Sequence, residues 1–348
     1  MSFPGATLVS AAHSGLVSLR NRLYDSGRFK TQSLPRPVIS VGNLTLGGTG
    51  KTPFVESLAR LLSEEGYLVC ILSRGYAAVR RDGPLLVSDL RRLRAGATLA
   101  GDEPYWLARR LPGVSVVVGA NRFEAGLFAL ERLPVNIFLL DDGFQHRALH
   151  RDLDVVLVDA TDPWGGGHTL PAGTLREPKS GLRRAHAIGL TRLHQCDGAA
   201  ARAVQAEVQQ VAPGIPLFGT RARTTGLRRV GQRGLLGVDA VAGRNVLAFA
   251  GIGKPAAFFT DLEALGAKVV ARRPFPDHHA FTRADLRGLI DDAIAAGATA
   301  LVTTEKDAMR LPPPPGGAPE ILALRQAVES EDPAALLRFV LSKLPGTK

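Results

Sequence analysis

Between Val38 and Pro53 the chain reads V-I-S-V-G-N-L-T-L-G-G-T-G-K-T-P. A β-branched run, a glycine-rich segment and an amphipathic stretch opening at Lys51-Thr52 predict strand, loop and helix in that order. Gly47, Gly48 and Gly50 let backbone N–H groups turn inward around an anion with no Cβ in the way. Lys51 is expected to reach the β- and γ-phosphates of a nucleotide, and the Thr52 hydroxyl to ligate Mg²⁺. The helix N-terminus adds a favourable dipole. The strict phosphate-loop pattern has glycine where this chain has Thr45. A glycine-rich turn that merely caps a helix is the alternative, but the order strand, G-G-x-G-K-T, helix favours a nucleotide-phosphate site.

From Val38 onward, apolar strands alternate with helices. Strands are expected at Val38–Val41, Tyr67–Leu72, Val114–Val118, Ile137–Leu140, Val155–Val158 and Ala187–Leu190, with helices at Pro53–Glu65 and Glu103–Arg110 among others. Near-continuous apolar strands of this kind predict an α/β fold, a P-loop NTPase-like parallel sheet with helices on both faces. Around residues 215–243 the alternation weakens into G-L-R-R-V and G-L-L-G-V, which reads as a two-segment linker. A smaller α/β lobe follows: strand Val246–Ala250, helix Ala256–Leu265, strand Lys268–Ala271, helix Arg283–Ala296, strand Ala300–Thr303. The expected division is a helix in 1–30, a core in 31–214, a linker in 215–243 and a lobe in 244–348. Gly251-Ile252-Gly253-Lys254-Pro255 again sets glycines between strand and helix, but lacks the Gly-Lys-Thr ending and reads as a structural turn.

Charge narrows the partners. Lys+Arg at 43 against Asp+Glu at 32 gives a net +11, which suits nucleic acid, an anionic membrane surface or a phosphorylated substrate, or reflects an arginine-rich genome. Cys70 and Cys196 form no C-x-x-C, so a disulfide framework and a cysteine zinc site are both excluded, and a reducing cytosol fits. The start lacks a basic signal-peptide region and no apolar run reaches membrane-spanning length, so the catalytic body is expected in the cytoplasm. Residues 5–30 are amphipathic: Leu8, Ala12, Leu16, Leu19 and Leu23 recur at three- and four-residue spacing, with Arg20, Arg22, Arg28 and Lys30 near the end. Such a helix lies in a membrane interface or packs on its own domain.

In a parallel sheet, ligands bind beyond the carboxyl ends of the strands. Those ends carry Ser73-Arg74-Gly75-Tyr76, Gly119-Ala120-Asn121-Arg122 and Asp141-Asp142-Gly143-Phe144-Gln145-His146. Asp141 and Asp142, downstream of a phosphate loop, offer hard oxygens for Mg²⁺, or else simple turn chemistry. Arg74 and Arg122 are either phosphate clamps or surface arginines. Asp102 in Gly101-Asp102-Glu103-Pro104 opens a helix, where it is either simply an N-cap or a residue of the site. Residues 164–178, rich in Gly and Pro, form a functional or mobile loop ending Leu175-Arg176-Glu177-Pro178. The pair His278-His279 lacks further Cys or His neighbours for zinc, and suits an acid/base or orienting role. Thr303–Asp307 does not match the guanine-reading N-K-x-D in register.

Nine segments in one order, V-G-N-L-T-L-G-G-T-G-K-T-P, S-R-G-Y, G-D-E-P, G-A-N-R, L-D-D-G-F-Q-H, L-R-E-P, F-A-G-I-G-K-P, F-P-D-H-H-A-F-T and T-T-E-K-D, span about residues 15–310. Together they resemble the tetraacyldisaccharide 4′-kinase family of bacteria with outer membranes, in whose phosphate loop Thr45 is at home. The resemblance implies an enzyme peripheral on the cytoplasmic face of the inner membrane; a monomer acting without nucleic acid is expected. Its reaction would move the γ-phosphate of ATP to the 4′-hydroxyl of a tetraacyldisaccharide 1-phosphate, with Mg²⁺ as cofactor. Two α/β lobes joined by a short β linker and an N-terminal helix engaging the bilayer are also implied. By the same resemblance Asp102 is the catalytic aspartate and His278, rather than His279, its histidine partner. Thr45, Gly47, Gly48, Thr49, Gly50, Lys51 and Thr52 would hold ATP, Thr52, Asp141 and Asp142 the metal, and Glu177 a place near the site. Two rivals are a metallochaperone-type P-loop GTPase, which needs a guanine motif in register, and a membrane-associated nucleotide binder for which Asp102 and His278 are dispensable.

Overall fold

The structure, a computed structural model, describes residues 4–75, 83–232, 234–253, 255–277 and 279–345. Two compact units emerge: Met1–Ala222 with Val328–Lys348, and Arg223–Ala327.

The first unit opens with helix α1 (Pro4–Asp25) and strand β1 (Val38–Asn43), then α2 (Lys51–Glu64), β2 (Val69–Ser73), β3 (Leu85–Ser88) and α3 (Ala97–Ala100). It continues through α4 (Asp102–Arg110), β4 (Ser115–Val118), α5 (Arg122–Leu130), β5 (Ile137–Asp141), β6 (Leu153–Asp159), β7 (Ala187–Thr191) and α6 (Gly198–Val211). Strand β8 (Leu217–Arg229) starts in this unit. The strands run in the order β3-β4-β2-β5-β1-β6-β7-β8. β1 lies between β5 and β6, parallel to both, and every one of its six residues is buried. Side chains alternate across the sheet. Phe138 and Leu140 of β5 pack with Ala125 and Ala129 of α5. Leu139 between them is equally buried on the opposite face, the side on which α2 meets β5. Beyond β1, Val156, Val158, Ile188 and Leu190 form a third cluster with Val208 of α6. The fold is the α/β parallel sheet expected, with one antiparallel edge strand, β3 on β4.

In the second unit, β9 (Asn245–Ala250), α7 (Pro255–Ala264), β10 (Lys268–Pro274), α8 (Arg283–Ala295), β11 (Ala300–Thr304), the short α9 (Glu305–Ala308) and β12 (Glu320–Ser330) follow one another. The strands β10-β9-β11-β12 are parallel. Val246, Ala248 and Ala250 of β9 face Phe258, Phe259 and Leu262 of α7, while Leu247 and Phe249 face Leu286, Leu289 and Ile290 of α8.

The division differs from the expected 31–214, 215–243 and 244–348 at both ends. The first of the two linker segments, G-L-R-R-V, closes a strand of 13 residues, β8, whose Leu227 forms an antiparallel bridge with Leu236 of the second, G-L-L-G-V. The middle of β8, T-R-A-R-T-T, has no apolar run, so the pattern hides it. Its start pairs with β7, from Ile188↔Leu217 to Leu190↔Gly219, and its other neighbour in the sheet is β12. At the other end β12 and α10 (Pro333–Lys343) carry the chain back into the first unit.

Candidate active site

The loop from β1 into α2 is braced by side chains of its own neighbourhood. Asn43, the last residue of β1, donates from Nδ2 to Thr49 Oγ1 at 3.0 Å and to Thr45 Oγ1 at 3.5 Å. Its Oδ1 accepts from Lys51 Nζ at 3.1 Å. Gly50 takes the left-handed conformation (φ 84°) that glycine tolerates best, and Gly47 has φ 108°. No side chain caps α2, whereas Asn121 caps α5 through the amides of Phe123 and Glu124. The first-turn N–H groups of α2 are therefore left to an outside acceptor. Thr45 forms an antiparallel bridge with Leu175, flanked by hydrogen bonds from Leu46 N to Thr174 O and from Arg176 N to Leu44 O, both 2.7 Å. The glycine-poor start of the loop is thus a two-stranded contact with the Gly/Pro-rich segment.

Beside it, β5 ends in the buried Asp141, paired in register with Val41 of β1. Asp142 follows in the left-handed region (φ 58°), unusual for a residue with a side chain. Both its oxygens accept from one guanidinium nitrogen of Arg176 at 2.8 Å, and Lys51 Nζ lies 3.7 Å away. Burial pulls the Lys51 ammonium below the usual lysine range; Asp142 opposes this most, Arg176 adds to it, and Asp141 and Glu103 oppose it too. Glu103 acting on Lys51 brings the Gly101–Pro104 turn into the electrostatic neighbourhood of the loop.

Asp102 is the first residue of α4 and half-buried, after Gly101 (φ 86°). Arg122 is buried, donating to the carbonyls of Gly119 and Ala120 at 3.3 and 3.0 Å, while Arg74 is exposed past the end of β2. Both act on His146, which burial first, and then Arg122, Arg151, Arg20 and Arg74, push down to about 4. Glu177 is joined to the loop through Gln145, whose Nε2 also donates to the carbonyl of Asn43 at 2.8 Å. Glu177 is 1% exposed and accepts from Gln145 Nε2 (3.0 Å), Asn21 Nδ2 (3.1 Å) and Arg184 (2.8 Å). Its carboxylate ties α1 to the loop after β5. His278, with Tyr76 and Lys254, lies outside the described residues.

Asn43, Gln145 and Arg176 were not among the residues expected from sequence to line the site, although each lies in a motif quoted for the resemblance. Their amide and guanidinium groups organise Lys51 and Asp142, a role set by contacts between motifs rather than by any one motif.

A parallel sheet whose central strand ends in this loop, with acidic residues closing the adjacent strand, defines a P-loop nucleotide-binding protein built for phosphoryl transfer. The family model described as LpxK, tetraacyldisaccharide-1-P 4'-kinase, matches residues 6–345, and the chain belongs to that family. It is similar to the tetraacyldisaccharide 4'-kinase of Anaeromyxobacter sp. (strain Fw109-5), 45% identical over 316 residues that cover 90% of this chain and 84% of that protein. That of Geobacter metallireducens is 43% identical, covering 88% of each. Among solved structures, LpxK from Aquifex aeolicus in complex with ATP superposes with a TM-score of 0.76 at 38% identity, covering 97% of this chain and 98% of that one.

Proposed function

We propose that this protein transfers the γ-phosphate of ATP to the 4′-hydroxyl of a tetraacyldisaccharide 1-phosphate, making lipid IV-A in lipid A biosynthesis. The observation that carries the reading is the setting of Lys51: its Nζ is held 3.1 Å from Asn43 Oδ1 and 3.7 Å from Asp142, whose carboxylate accepts in turn from Arg176 of the Gly/Pro-rich segment. Phosphoryl transfer has a loose transition state and needs alignment and charge stabilisation more than a strong base.

In this reading Lys51 and the uncapped amides of α2 hold the β- and γ-phosphates. Asp142 orients Lys51 and Arg176 toward them. Thr52, buried in the first turn of α2, and buried Asp141 offer the hard oxygens that suit Mg²⁺, which takes one or two protein carboxylates beside phosphate oxygens and water. Mg²⁺ bound there would supply charge neutralisation on the transferring phosphate. Asp102 accepts the proton of the attacking hydroxyl as the new bond forms. His278 is kept as its proposed partner because His279 is otherwise engaged. The His279 ring packs against Phe275 and Phe281 at 4.7 and 4.9 Å, and its Nε2 lies 3.2 Å from Asp285 Oδ2, part of the capping box of α8. The cations Arg74 and Arg122, around a His146 whose buried Nε2 has no hydrogen-bond partner among the described residues, suit a phosphate of the lipid acceptor.

α1 supports a peripheral position on the inner membrane's cytoplasmic face. Its polar residues Ser10, Arg20 and Asn21 bond to the first unit, while Leu8, Val9, Leu16 and Leu19 are exposed. No described helix is long and apolar enough to cross a membrane.

The test is phosphate transfer from Mg·ATP to detergent-dispersed tetraacyldisaccharide 1-phosphate, wild type beside Asp102→Ala. Wild type should yield a bisphosphorylated lipid, and the variant should keep nucleotide affinity while losing about 10²–10⁴-fold in kcat. Nucleotide hydrolysis with no lipid product would end the kinase reading. Near-normal kcat in Asp102→Ala would remove Asp102 as base.

A further inference from the structure

Beyond β6 and β7, on the side of the phosphate loop away from Asp141, stands a polar link that none of the roles above uses. β6 ends in Asp159 and β7 in Thr191, paired in register, and the next residue is Arg192. Arg192 has φ 59° and ψ 25°, the left-handed region that a long side chain rarely occupies. From that backbone its guanidinium forks. One nitrogen donates to the carboxylate Oδ2 of buried Asp159, and the other to the carbonyl of Gly48 at 2.6 Å, 144 residues away in the chain. The second oxygen of Asp159 is occupied by Thr161, through its N–H at 3.0 Å and its hydroxyl at 2.7 Å. Thr161, Asp159, Arg192 and Gly48 therefore form one chain of hydrogen bonds from the strand ends into the glycine loop.

We infer that Arg192, held by Asp159, is a positioning residue for the nucleotide's phosphates. It acts by fixing the plane of the Gly48–Thr49 peptide. A trans peptide points its C=O and N–H in opposite directions, so anchoring the Gly48 carbonyl also sets the direction of the Thr49 amide. That amide now closes on Gly47 O at 3.1 Å, on the inner side of the turn. The three glycines of L-G-G-T-G leave the free backbone many conformations, and an anchored loop loses less freedom when it closes on a phosphate. The fork suits arginine: two donors at a fixed angle reach a carboxylate and a carbonyl at once, which one ammonium does less well. The left-handed backbone aims the side chain back across β6 to the loop, and its strain is maintained by the bonds at the far end.

The inference rests on the reading of residues 45–52 as a phosphate cradle, and the experiment separates the two. Calorimetric titration of the full chain, in Mg²⁺, would use ATP, ADP and inorganic tripolyphosphate. A clamp acting on the cradle weakens all three alike, by roughly tenfold for Arg192→Ala, the size of one charge-assisted hydrogen bond. The KM for ATP should rise by the same factor while kcat at saturating ATP changes less than about threefold. Arg192→Lys should fall between wild type and alanine, and Asp159→Asn should weaken binding without adding to the Arg192→Ala loss, since the two act as a unit. If Arg192→Ala does not fold, the Lys and Asn variants decide the matter. Tight wild-type binding with unchanged dissociation constants in the variants overturns the clamp and leaves the cradle standing. A loss for ATP and ADP that spares tripolyphosphate also overturns it, by making Arg192 a contact to the nucleoside. A wild type that binds none of the three removes the cradle reading and the clamp together.

Discussion

Two glycine-rich turns in this chain join an apolar parallel strand to a helix, one in each unit, and they close in different ways. After β9, the N–H of Gly251 donates to Asp307 Oδ2 at 3.0 Å, and the same oxygen accepts from the Thr304 hydroxyl at 2.8 Å. Asp307 is fully buried, and burial pushes its carboxyl above the usual range. A Cβ on Gly251 would meet His279 Cβ and Pro276 O at 3.2 Å. That turn already encloses a carboxyl group, and it is the chain's own side chain. After β1 the arrangement is reversed. Lys51 presents a cation inside the turn, the first turn of α2 has no side-chain cap, and a Cβ on Gly47 would meet nothing within 4 Å. Glycines between strand and helix mark a phosphate site only where the chain has not filled the anion's seat itself.

The contrast is broken most directly by exchanging what each turn loses. Lys51→Ala should lower kcat at saturating ATP by about 10²–10³-fold, the scale of removing one preorganised charge-stabilising donor, with little change in stability. Asp307→Ala should do the converse. It strands the Gly251 N–H and the Thr304 hydroxyl in a dry interior and costs the second unit about 2 kcal/mol, while the dissociation constant for ATP stays within about twofold. Denaturant unfolding and ATP titration of both variants check the pair. An Asp307→Ala protein that loses ATP affinity as Lys51→Ala does would make the two turns equivalent.

A second test uses the sign of the field at the strand ends. Burial and four arginines hold His146 at about 4, against an ordinary 6.5. Between those values the unfolded chain takes up a proton that the folded chain refuses, so stability rises with pH from about 4 to 6.5 and is lost as pH falls through that window. The loss should be on the order of 2–3 kcal/mol. His146→Gln, which cannot titrate, should flatten that part of the pH–stability curve. A variant whose curve still falls equally steeply would show that the cation-rich end of the first unit does not control the imidazole.

How much of this was legible in the sequence depends on what carries each feature. β1, β5 and β9 grow from apolar runs that Gly42, Asp141 and Gly251 follow, and they stand where the pattern puts them, within a residue or two. The phosphate loop was legible for the same reason: Gly-Lys-Thr is a local signal. β8 was not, because T-R-A-R-T-T carries no apolar run and is a strand only through its place in the sheet between β7 and β12. Nor was the return of β12 and α10 to the first unit, which no local composition announces. Among the candidate site residues, Lys51 and Asp141 declare themselves by position, whereas the sequence does not show that Glu177 is a buried tie between Asn21, Gln145 and Arg184, one hydrogen-bonded residue removed from Asn43. Arg192 is silent in sequence, since its importance lies in a left-handed backbone and a partner 144 residues away.

α1 extends the comparison, because its two faces differ as the two turns do: one is satisfied by the protein and one is not. Ser10 is buried, donating to Thr169 O at 2.5 Å and accepting from Ala172 N at 2.9 Å. Leu16 is 67% exposed and Leu8 76%, on the same helix. Leaving such side chains in water forfeits about 1.5–3 kcal/mol each relative to full burial, and a lipid interface recovers part of it. Leu16→Ser should therefore reduce partitioning to vesicles of anionic phospholipid by about tenfold while stability stays within about 0.5 kcal/mol. Ser10→Ala should do the opposite, loosening the docking of α1 by about 1 kcal/mol and sparing vesicle affinity. Vesicle sedimentation and thermal unfolding on the two variants give four readings. If Leu16→Ser lowers stability and leaves sedimentation unchanged, the apolar face packs against protein rather than lipid, and α1 is a structural helix like any other in the unit.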